Sequence, residues 1–169
     1  IPLVRDAETE NLLKDYSRPI FRAASLGSHI TMRIVKHDSF NAFVIDGLNV
    51  FINTGTILQA KTPNEVIGVI AHETGHITGG HMAALRTRIA RDQTKALLLM
   101  VLGIGAMAAS AGSGGSDAGS AGMGIGLLGQ EMVMRSFLSE RRSQESAADQ
   151  AGMRFLEATH QSGRGMLET

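Results

Sequence analysis

The chain has 169 residues, with sixteen Lys and Arg side chains balanced by sixteen Asp and Glu, and it contains no cysteine. Zero formal net charge gives no indication of nucleic-acid binding, and the lack of cysteine excludes disulfides, thiolate metal ligands and a cysteine nucleophile. The length is typical of one domain with a sizeable core, which predicts a single domain over residues 1–169. The chain opens on Ile1-Pro2 with charged residues close behind, so we expect no signal peptide within it.

The first part of the chain predicts a helix followed by a small sheet. Residues from Ala7 to about Ser25 place apolar side chains on one face of an amphipathic helix, in which Pro19 can introduce a kink. A strand follows, and Asp46-Gly47 between two further strands is a strong signal for a two-residue hairpin. The predicted strands cover residues 30–35, 42–45 and 48–52. Together with the helices described below, they predict a mostly helical α+β fold with a small antiparallel sheet.

The predicted hairpin suggests a way of holding a substrate. A free sheet edge binds an extended peptide through main-chain hydrogen bonds, largely without regard to its side chains. The alternative is a sheet that only supports the following helix, and the sequence does not indicate which strand lies at the edge. The residues expected to contact substrate are Asn41, Ala42, Phe43, Asn49, Val50 and Phe51.

The next segment predicts a helix with well-defined ends. Thr62-Pro63-Asn64-Glu65 has the pattern of a capping box, with Pro63 at the first helical position. Apolar residues then recur at helical spacing, and Gly79-Gly80 provides a stop. The apolar face consists of Val66, Val69, Ile70 and Ile77.

The most informative segment, His72-Glu73-Thr74-Gly75-His76, lies in the middle of this helix. Residues four apart lie on one helix face, so the imidazoles of His72 and His76 can reach one metal ion. Glu73 is adjacent, where it can contact a water on the metal without binding the metal itself. This H-E-x-x-H arrangement is typical of zinc peptidases, with Glu73 as general base. A helix that carries two surface histidines and a glutamate by chance is the less favoured alternative.

A catalytic zinc usually has three protein ligands, so a third must come from outside this segment. His81 lies five residues after His76 and does not repeat the spacing of the first pair. The metzincin pattern would place its third histidine at the position of Met82. We therefore interpret His81 as a structural histidine, or as one that supports a ligand.

Glu145 is the better candidate for the third ligand. It precedes Asp149 by four residues in a segment, from about Met132 to Ala158, that is predicted to be helical, so both carboxylates lie on one face. In this hypothesis Glu145 binds zinc, and Asp149 orients a ligating histidine through its free ring nitrogen. Taken alone, the segment fits a solvated charged helix face better. Its small residues, which would let two helix backbones approach closely, are Ala147, Ala148, Ala151 and Gly152.

Residues from about 96 to 130 form a glycine-rich, apolar insertion. Ala96 to Ser116 carries no charge, but the apolar run from Leu97 to Ala109 is shorter than the roughly 20 residues that span a bilayer. Three interpretations are open: a buried or active-site-covering helical hairpin with a mobile tip, a membrane-surface or re-entrant segment, and a two-helix membrane hairpin. We favour a flexible lid, because glycine richness indicates mobility.

Two motifs together resemble a known peptidase family. The motif H-E-x-G-H at 72–76, followed about seventy residues later by R-x-x-E-x-x-A-D at 142–149, is similar to the gluzincins that include CAAX prenyl peptidases, HtpX-like heat-shock peptidases and BepA-like proteases. Residues 41–43 and 49–55 also resemble the strands that precede the zinc helix in these proteins. Arg141 replaces the family's usual serine, which leaves the ligand assignment unchanged. The resemblance covers the whole chain and is greatest for the periplasmic BepA-like branch.

The resemblance implies a zincin-type metalloprotease domain with one Zn²⁺ per chain. Glu73 would accept the proton of the attacking water and pass it to the leaving amine. The implied zinc ligands are His72, His76 and Glu145, with Asp149 as their supporting carboxylate. Relatives use a further group downstream to stabilise the oxyanion, and His160 lies too near the second motif to be a good substitute. Because BepA-like proteins continue into a helical-repeat domain, the resemblance also implies that this chain is a fragment.

The implied function is a zinc-dependent endopeptidase for misfolded or stalled envelope proteins. Its partners would be unfolded polypeptides, its location the periplasm, and residues 96–130 would allow association with a membrane surface. Two alternatives are open. One is a chaperone-like assembly factor that binds client strands and rarely cuts, and the other is an integral-membrane peptidase of the HtpX type.

Overall fold

The structure is a computed structural model that describes residues 2–111 and 117–169, without the side chains of residues 82, 85, 96, 99, 101–111 and 117–130. Most residues of the insertion predicted at about 96–130 have no described side chain, so its three interpretations stay predictions. Among the described residues, no helix has a run long and apolar enough to cross a bilayer. The elements in chain order are β1 (Leu3–Val4), α1 (Ala7–Ala23), β2 (Thr31–Val35), β3 (Ala42–Ile45), β4 (Asn49–Asn53), α2 (Thr54–Gln59), α3 (Pro63–Thr78), α4 (His81–Ala111), α5 (Asp117–Ala158) and α6 (Arg164–Leu167).

The ends of α3 confirm the predicted N-cap at Thr62 and the predicted stop, while Glu65 reaches back to Lys61, one residue beyond the N-cap that a capping box uses. The Thr62 side chain accepts a hydrogen bond from the Glu65 N–H at 3.4 Å, and the Glu65 carboxylate accepts one from the Lys61 N–H at 3.0 Å. Gly79 forms the C-cap, where its N–H donates to the Gly75 carbonyl. Both ends of the helix are therefore fixed by local hydrogen bonds that satisfy otherwise free backbone groups.

The sheet is mixed, which corrects the prediction of an antiparallel sheet. Its strand order is β1-β2-β4-β3, and β2 and β4 run parallel while the other two pairs are antiparallel. The hairpin forms as predicted, with Asp46 and Gly47 both at positive φ. The hairpin pairs with β2 through its second strand, β4. This strand carries the fully buried Val50 and Ile52, and its central place in the sheet gives it a neighbouring strand on both sides.

One face of the sheet forms the main core with α1 and α3. Successive strand residues point to opposite faces, so every second side chain reaches this core. Each fully buried apolar side chain stabilises the folded state by about 1.5–3 kcal/mol relative to leaving that side chain exposed. The core residues are Leu13 and Phe21 of α1, Met32 and Ile34 of β2, Val44 of β3, Val50 and Ile52 of β4, and Val66 and Ile70 of α3. Packing on this core fixes α3 to the sheet.

The chain divides into two compact units, one made of residues 1–84 and 144–169 and the other of residues 85–143. The first unit contains the sheet, α1 to α3 and α6, together with the start of α4 and the end of α5. Within the second unit, Arg88 forms ion pairs with Asp92 and Glu140 and lies over the Phe137 ring. The single domain expected over 1–169 stays a prediction.

In the first unit, α3 and α5 approach so closely that a glycine is required at one position and favoured at a second. A Cβ atom on Gly75 would lie 2.4 Å from the carbonyl oxygen of Ala148, and one on Gly152 would lie 3.1 Å from the backbone of Ala71. The first distance is too short for any side chain, because the opposing atom belongs to a helix backbone that cannot rotate away. The predicted close packing of small residues in α5 is therefore confirmed, and its partner is the central turn of α3.

This packing predicts that Gly75→Ala destabilises the chain. In an open helix the substitution would raise helix propensity and add about 1 kcal/mol of stability. Here the new methyl group pushes against Ala148, and such overpacking typically costs about 1–3 kcal/mol. Urea unfolding of the metal-free protein measures the difference. Because the two effects have opposite signs, a more stable variant would contradict the close approach.

Candidate metal centre

Three side chains of the first unit bring one ligand atom each to a common point. His72 and His76 lie one turn apart on α3, and their Nε2 atoms are 3.1 Å from each other. An Oε2 atom of Glu145, from α5, lies 3.3 Å from the first and 3.4 Å from the second. The structure therefore brings together the three residues predicted as zinc ligands, and they form a group that could hold a metal ion.

The separations between these atoms fit a tetrahedral metal. Zinc binds imidazole nitrogen and carboxylate oxygen at about 2.0–2.2 Å in a tetrahedral site. Two ligands at such distances are about 3.3–3.6 Å apart, since a tetrahedron's edge is about 1.63 times its centre-to-corner distance. The observed values of 3.1 to 3.4 Å come close to this range. Three protein ligands also leave a fourth corner for water or substrate, as in catalytic zinc sites.

Each of the two histidines is held by a partner on its other ring nitrogen. His72 Nδ1 lies 2.8 Å from Oδ1 of Asp149, and His76 Nδ1 lies 2.8 Å from Nδ1 of His81. A carboxylate can only accept, so the proton of the His72 ring is on Nδ1 and its Nε2 carries the free electron pair. Asp149 thus occupies the orienting position predicted for it.

The hydrogen-bonding pattern leaves three electron-rich atoms facing one another. Nε2 of His72 is unprotonated, and the same holds for Nε2 of His76 when its Nδ1–H donates to His81. Together with the Glu145 carboxylate, these atoms would repel each other at their observed spacing unless a cation or a shared proton lies between them. Burial and the neighbouring histidines lower the pKa of His76, while Glu145 acts in the opposite sense. The chemistry of this donor set therefore suits a divalent cation.

Glu73 lies beside the three ligands in a different environment. It is buried, with 8% of its surface exposed, and burial together with the Glu145 charge raises its pKa to about 8. A carboxyl group with a pKa near neutrality can both accept and return a proton at physiological pH. Glu73 follows a ligand histidine on α3 and is not part of the three-ligand group. It lines the same pocket as His72.

A pocket of about 370 Å³ opens beside His72, one of the three residues of the metal-binding group. It is bounded on one side by Val69, His72 and Glu73 of α3 and on the other by Asn41 and Ala42 at the start of β3. Its complete lining is Phe40, Asn41, Ala42, Val69, His72, Glu73, Asp149, Met166 and Thr169. The pocket therefore joins an apolar wall to the group that could hold the metal.

β3 is an outer strand of the sheet as described, and Ala42 at its start lines this pocket. The Asn53 N–H donates to the Asn41 carbonyl, so Asn41 is turned toward β4. Because the direction alternates along an antiparallel strand, the N–H and C=O groups of Ala42 and Val44 point away from β4. These groups are placed to pair with an added strand.

The six residues predicted to contact substrate lie in two different places in the structure. Asn41 and Ala42 line the pocket, and Phe43 follows them on the outer strand with its ring stacked on Phe51. Asn49, Val50 and Phe51 lie on β4, which is paired on both sides and has no free edge, so their contact with substrate stays a prediction. β4 has no free edge because its parallel pairing with β2 places the hairpin's second strand inside the sheet.

Sequence reasoning did not find three lining residues, Phe40, Met166 and Thr169. Met166 reaches the pocket because α6 packs on α3 at Gly68, where Asn64 holds the backbone through hydrogen bonds to Ser162 and Gly165. A contact between residues about a hundred positions apart has no local signal. His81 does have a local signal in the sequence, because it directly follows the helix stop at Gly79-Gly80. In the structure it lies against His76. His160 is exposed after α5 and does not line the pocket.

Comparisons with known proteins identify relatives of the chain. A model of peptidase family M48 matches residues 6–169. A protein of Vibrio cholerae named as a beta-barrel assembly-enhancing protease is 26% identical over 156 residues, which are 92% of this chain and 31% of that protein. The chain thus spans about a third of the length of this relative.

The geometry predicts that Glu145→Gln weakens zinc binding strongly. The amide loses the negative charge that faces the two Nε2 atoms. We expect a loss larger than the about 10–100-fold that follows removal of a group that only orients a ligand. Competition with a chromophoric chelator measures the affinity. Glu157→Gln, an exposed position on the same helix, is the matched control and should bind zinc as the wild type does. Equal zinc affinity in the Glu145→Gln variant would contradict its role as ligand.

Burial of Glu73 predicts a pH-dependent effect in the metal-free chain. Its pKa is about 8 in the folded state against 4.5 for the free side chain, so the folded chain retains a proton that the unfolded chain loses. The stability contributed by this group is therefore present below about pH 4.5 and decreases as pH rises toward 8. Glu73→Gln lacks this dependence, so its stability relative to wild type should rise by up to about 1.4 kcal/mol per pH unit across that window.

Urea unfolding at several pH values, with a chelator present, measures this difference. The histidines contribute to both proteins, so the comparison cancels most of their effect. A difference between wild type and Glu73→Gln that stays constant from pH 5 to pH 8 would show that Glu73 is not buried as described.

Proposed function

This chain belongs to peptidase family M48 and is a metallopeptidase, and on that premise we propose that it is a zinc-dependent endopeptidase with Glu73 as its general base. The observation that carries the proposal is the meeting of His72 Nε2, His76 Nε2 and Glu145 Oε2 within 3.4 Å of one another, beside a buried carboxyl group. The ligand set of two imidazoles and a carboxylate is one that zinc takes in peptidases.

The residues of the site have separate tasks in peptide hydrolysis. Zinc in this group would lower the pKa of a water ligand toward about 7 and polarise the substrate carbonyl. Glu73 removes the proton of the attacking water and transfers it to the nitrogen of the leaving amine as the C–N bond breaks. Asp149 keeps the His72 ring in the orientation and tautomer that leave Nε2 free.

The substrate proposed for this site is an extended polypeptide. Its main chain would pair with the outward N–H and C=O groups of Ala42 and Val44, as an added strand does on a free sheet edge. A side chain near the scissile bond would enter the pocket, whose wall includes Val69 and Met166 and suits an apolar group. Main-chain pairing requires an extended segment, so folded proteins would be poor substrates and unfolded or misfolded proteins good ones.

The biological role is proposed from the relative. The Vibrio cholerae protein is named for enhancing beta-barrel assembly, and we propose that this chain cleaves misfolded or stalled envelope proteins in the periplasm. The membrane-surface association expected for residues 96–130 is supported by exposed apolar side chains in the described part of the second unit. These are Ile89, Leu97, Leu98, Met100, Met132, Val133, Met134 and Leu138.

The free edge of β3 also supports a second function. A strand bound there without cleavage would make the chain a chaperone-like assembly factor for client strands. The buried carboxyl of Glu73 favours the peptidase, because binding a strand or a metal does not require a general base at that position. The experiment below distinguishes the two.

Cleavage of casein, an unfolded protein, by the zinc-loaded chain tests the proposed function. We expect the wild type to cut, and Glu73→Gln to retain zinc while its turnover falls by about 10²–10⁴-fold, the usual contribution of general acid–base catalysis. Zinc content is measured on the same samples by atomic absorption. Zinc-loaded wild type that binds casein without cutting it would favour the chaperone-like function. A Glu73→Gln variant as active as the wild type would remove Glu73 from the mechanism.

A further inference from the structure

We propose that His81 is a positioning residue that fixes the ring of His76 on the metal, as Asp149 fixes the ring of His72. This inference rests on the proposed zinc site and concerns a residue outside both motifs that define it. His81 follows the H-E-x-x-H segment by five residues and belongs to the first turn of α4. It lies in the same compact unit as the metal-binding group.

The contact between the two rings is a hydrogen bond with a defined direction. The Nδ1 atoms of His76 and His81 are 2.8 Å apart, and the ring planes are nearly perpendicular, at 77°. When Nε2 of His76 faces the metal, the ring's proton is on Nδ1 and is donated to His81. His81 must then accept through an unprotonated Nδ1, so its own proton is on Nε2. One bond fixes both the orientation of His76 and its tautomer.

The short connection between α3 and α4 brings His81 into this contact. α3 ends at Thr78, Gly79 caps it, and Gly80 takes a positive φ of 63° before α4 begins at His81. The imidazole of His81 folds back over Gly79, where a Cβ atom would lie 2.3 Å from its Nε2. The space that His81 occupies beside His76 therefore exists only because residue 79 has no side chain.

His81 is not a ligand itself in this arrangement. Its Nδ1 is used by His76, and the ligand atoms that meet are those of His72, His76 and Glu145. The two supporting groups differ in charge, since Asp149 is a carboxylate and His81 is neutral when it accepts. His81 therefore supports His76 mainly by orienting its ring. Its electrostatic contribution is smaller than the one that Asp149 makes at His72.

The experiment compares zinc affinities by chelator competition for the wild type and a set of single variants. His81→Ala removes the acceptor, and we expect an affinity loss of about 10–100-fold, the range for groups that orient a metal-binding histidine. His81→Asn keeps an acceptor at nearly the place of Nδ1 and should recover most of the affinity. Asp149→Ala is the positive comparison, and His29→Ala, an exposed histidine outside the site, should leave affinity unchanged.

A spectroscopic readout separates positioning from general stability. In zinc-loaded wild type, ¹⁵N-resolved NMR of the imidazoles should show His76 as the Nδ1–H tautomer with a slowly exchanging N–H proton. In His81→Ala that proton should exchange rapidly, while the His72 proton that faces Asp149 stays protected. Circular dichroism and urea unfolding of the metal-free variants establish that the fold is retained, and His81→Asn provides the test if His81→Ala does not fold.

Two outcomes would overturn the inference. One is zinc affinity in His81→Ala equal to that of the wild type. The other is a loss in His81→Asn as large as in His81→Ala with the fold intact, which would show that the ring only fills space. Failure of the proposed zinc site is a different result, because then the wild type and the His29→Ala control would themselves fail to bind zinc, and failure of the peptidase function alone would appear only in the casein assay.

Discussion

The close approach of α3 and α5 is the constraint on which the site depends. The two histidines of the metal-binding group lie on α3 and the carboxylate on α5, so the distance between the helix backbones decides whether three ligand atoms can meet. Gly75 against Ala148 and Gly152 against Ala71 bring the backbones into contact. Gly75 also lies between Glu73 and His76, which explains why a glycine occupies one of the two variable positions of the motif. Larger residues at this crossing would separate the ligands.

The remainder of the first unit holds α3 in place and prepares its surroundings. The sheet and α1 bury one side of α3, α6 covers its first turns, and hydrogen bonds fix both of its ends. The side that remains open carries Val69, His72 and Glu73 into the pocket beside the outer strand. A helix held in this way can keep a carboxyl group buried and two imidazoles in fixed positions. In a mobile segment these polar side chains would instead turn toward water. Rigidity of the scaffold and reactivity of the site therefore have the same origin.

Much of this architecture could be predicted from local sequence. The capping residues of α3, the hairpin at Asp46-Gly47 and the i, i+4 histidines all depend on neighbours within a few positions, and they were predicted correctly. Glu145 and Asp149 were found only through a motif, because their own segment reads as a solvated charged face. The central place of β4 and the lining by Met166 could not be predicted. Both follow from contacts between distant residues, for which periodicity and turn chemistry carry no information.

The placement of the second unit in the chain has a consequence for folding and for tolerance to change. The metal-binding residues on α3 and α5 are separated in sequence by residues 85–143, so a bound ion closes a long loop in the way that a covalent crosslink does. Such closure is entropically costly in the unfolded chain, but the cost grows only with the logarithm of length, about 0.6 kcal/mol for each doubling. The inserted unit can therefore lengthen, shorten or change composition with little effect on the stability of the metal centre. Its sequence is left free to adapt to another task, while the glycine crossing between α3 and α5, and an ion where one is bound, hold the two parts of the first unit together.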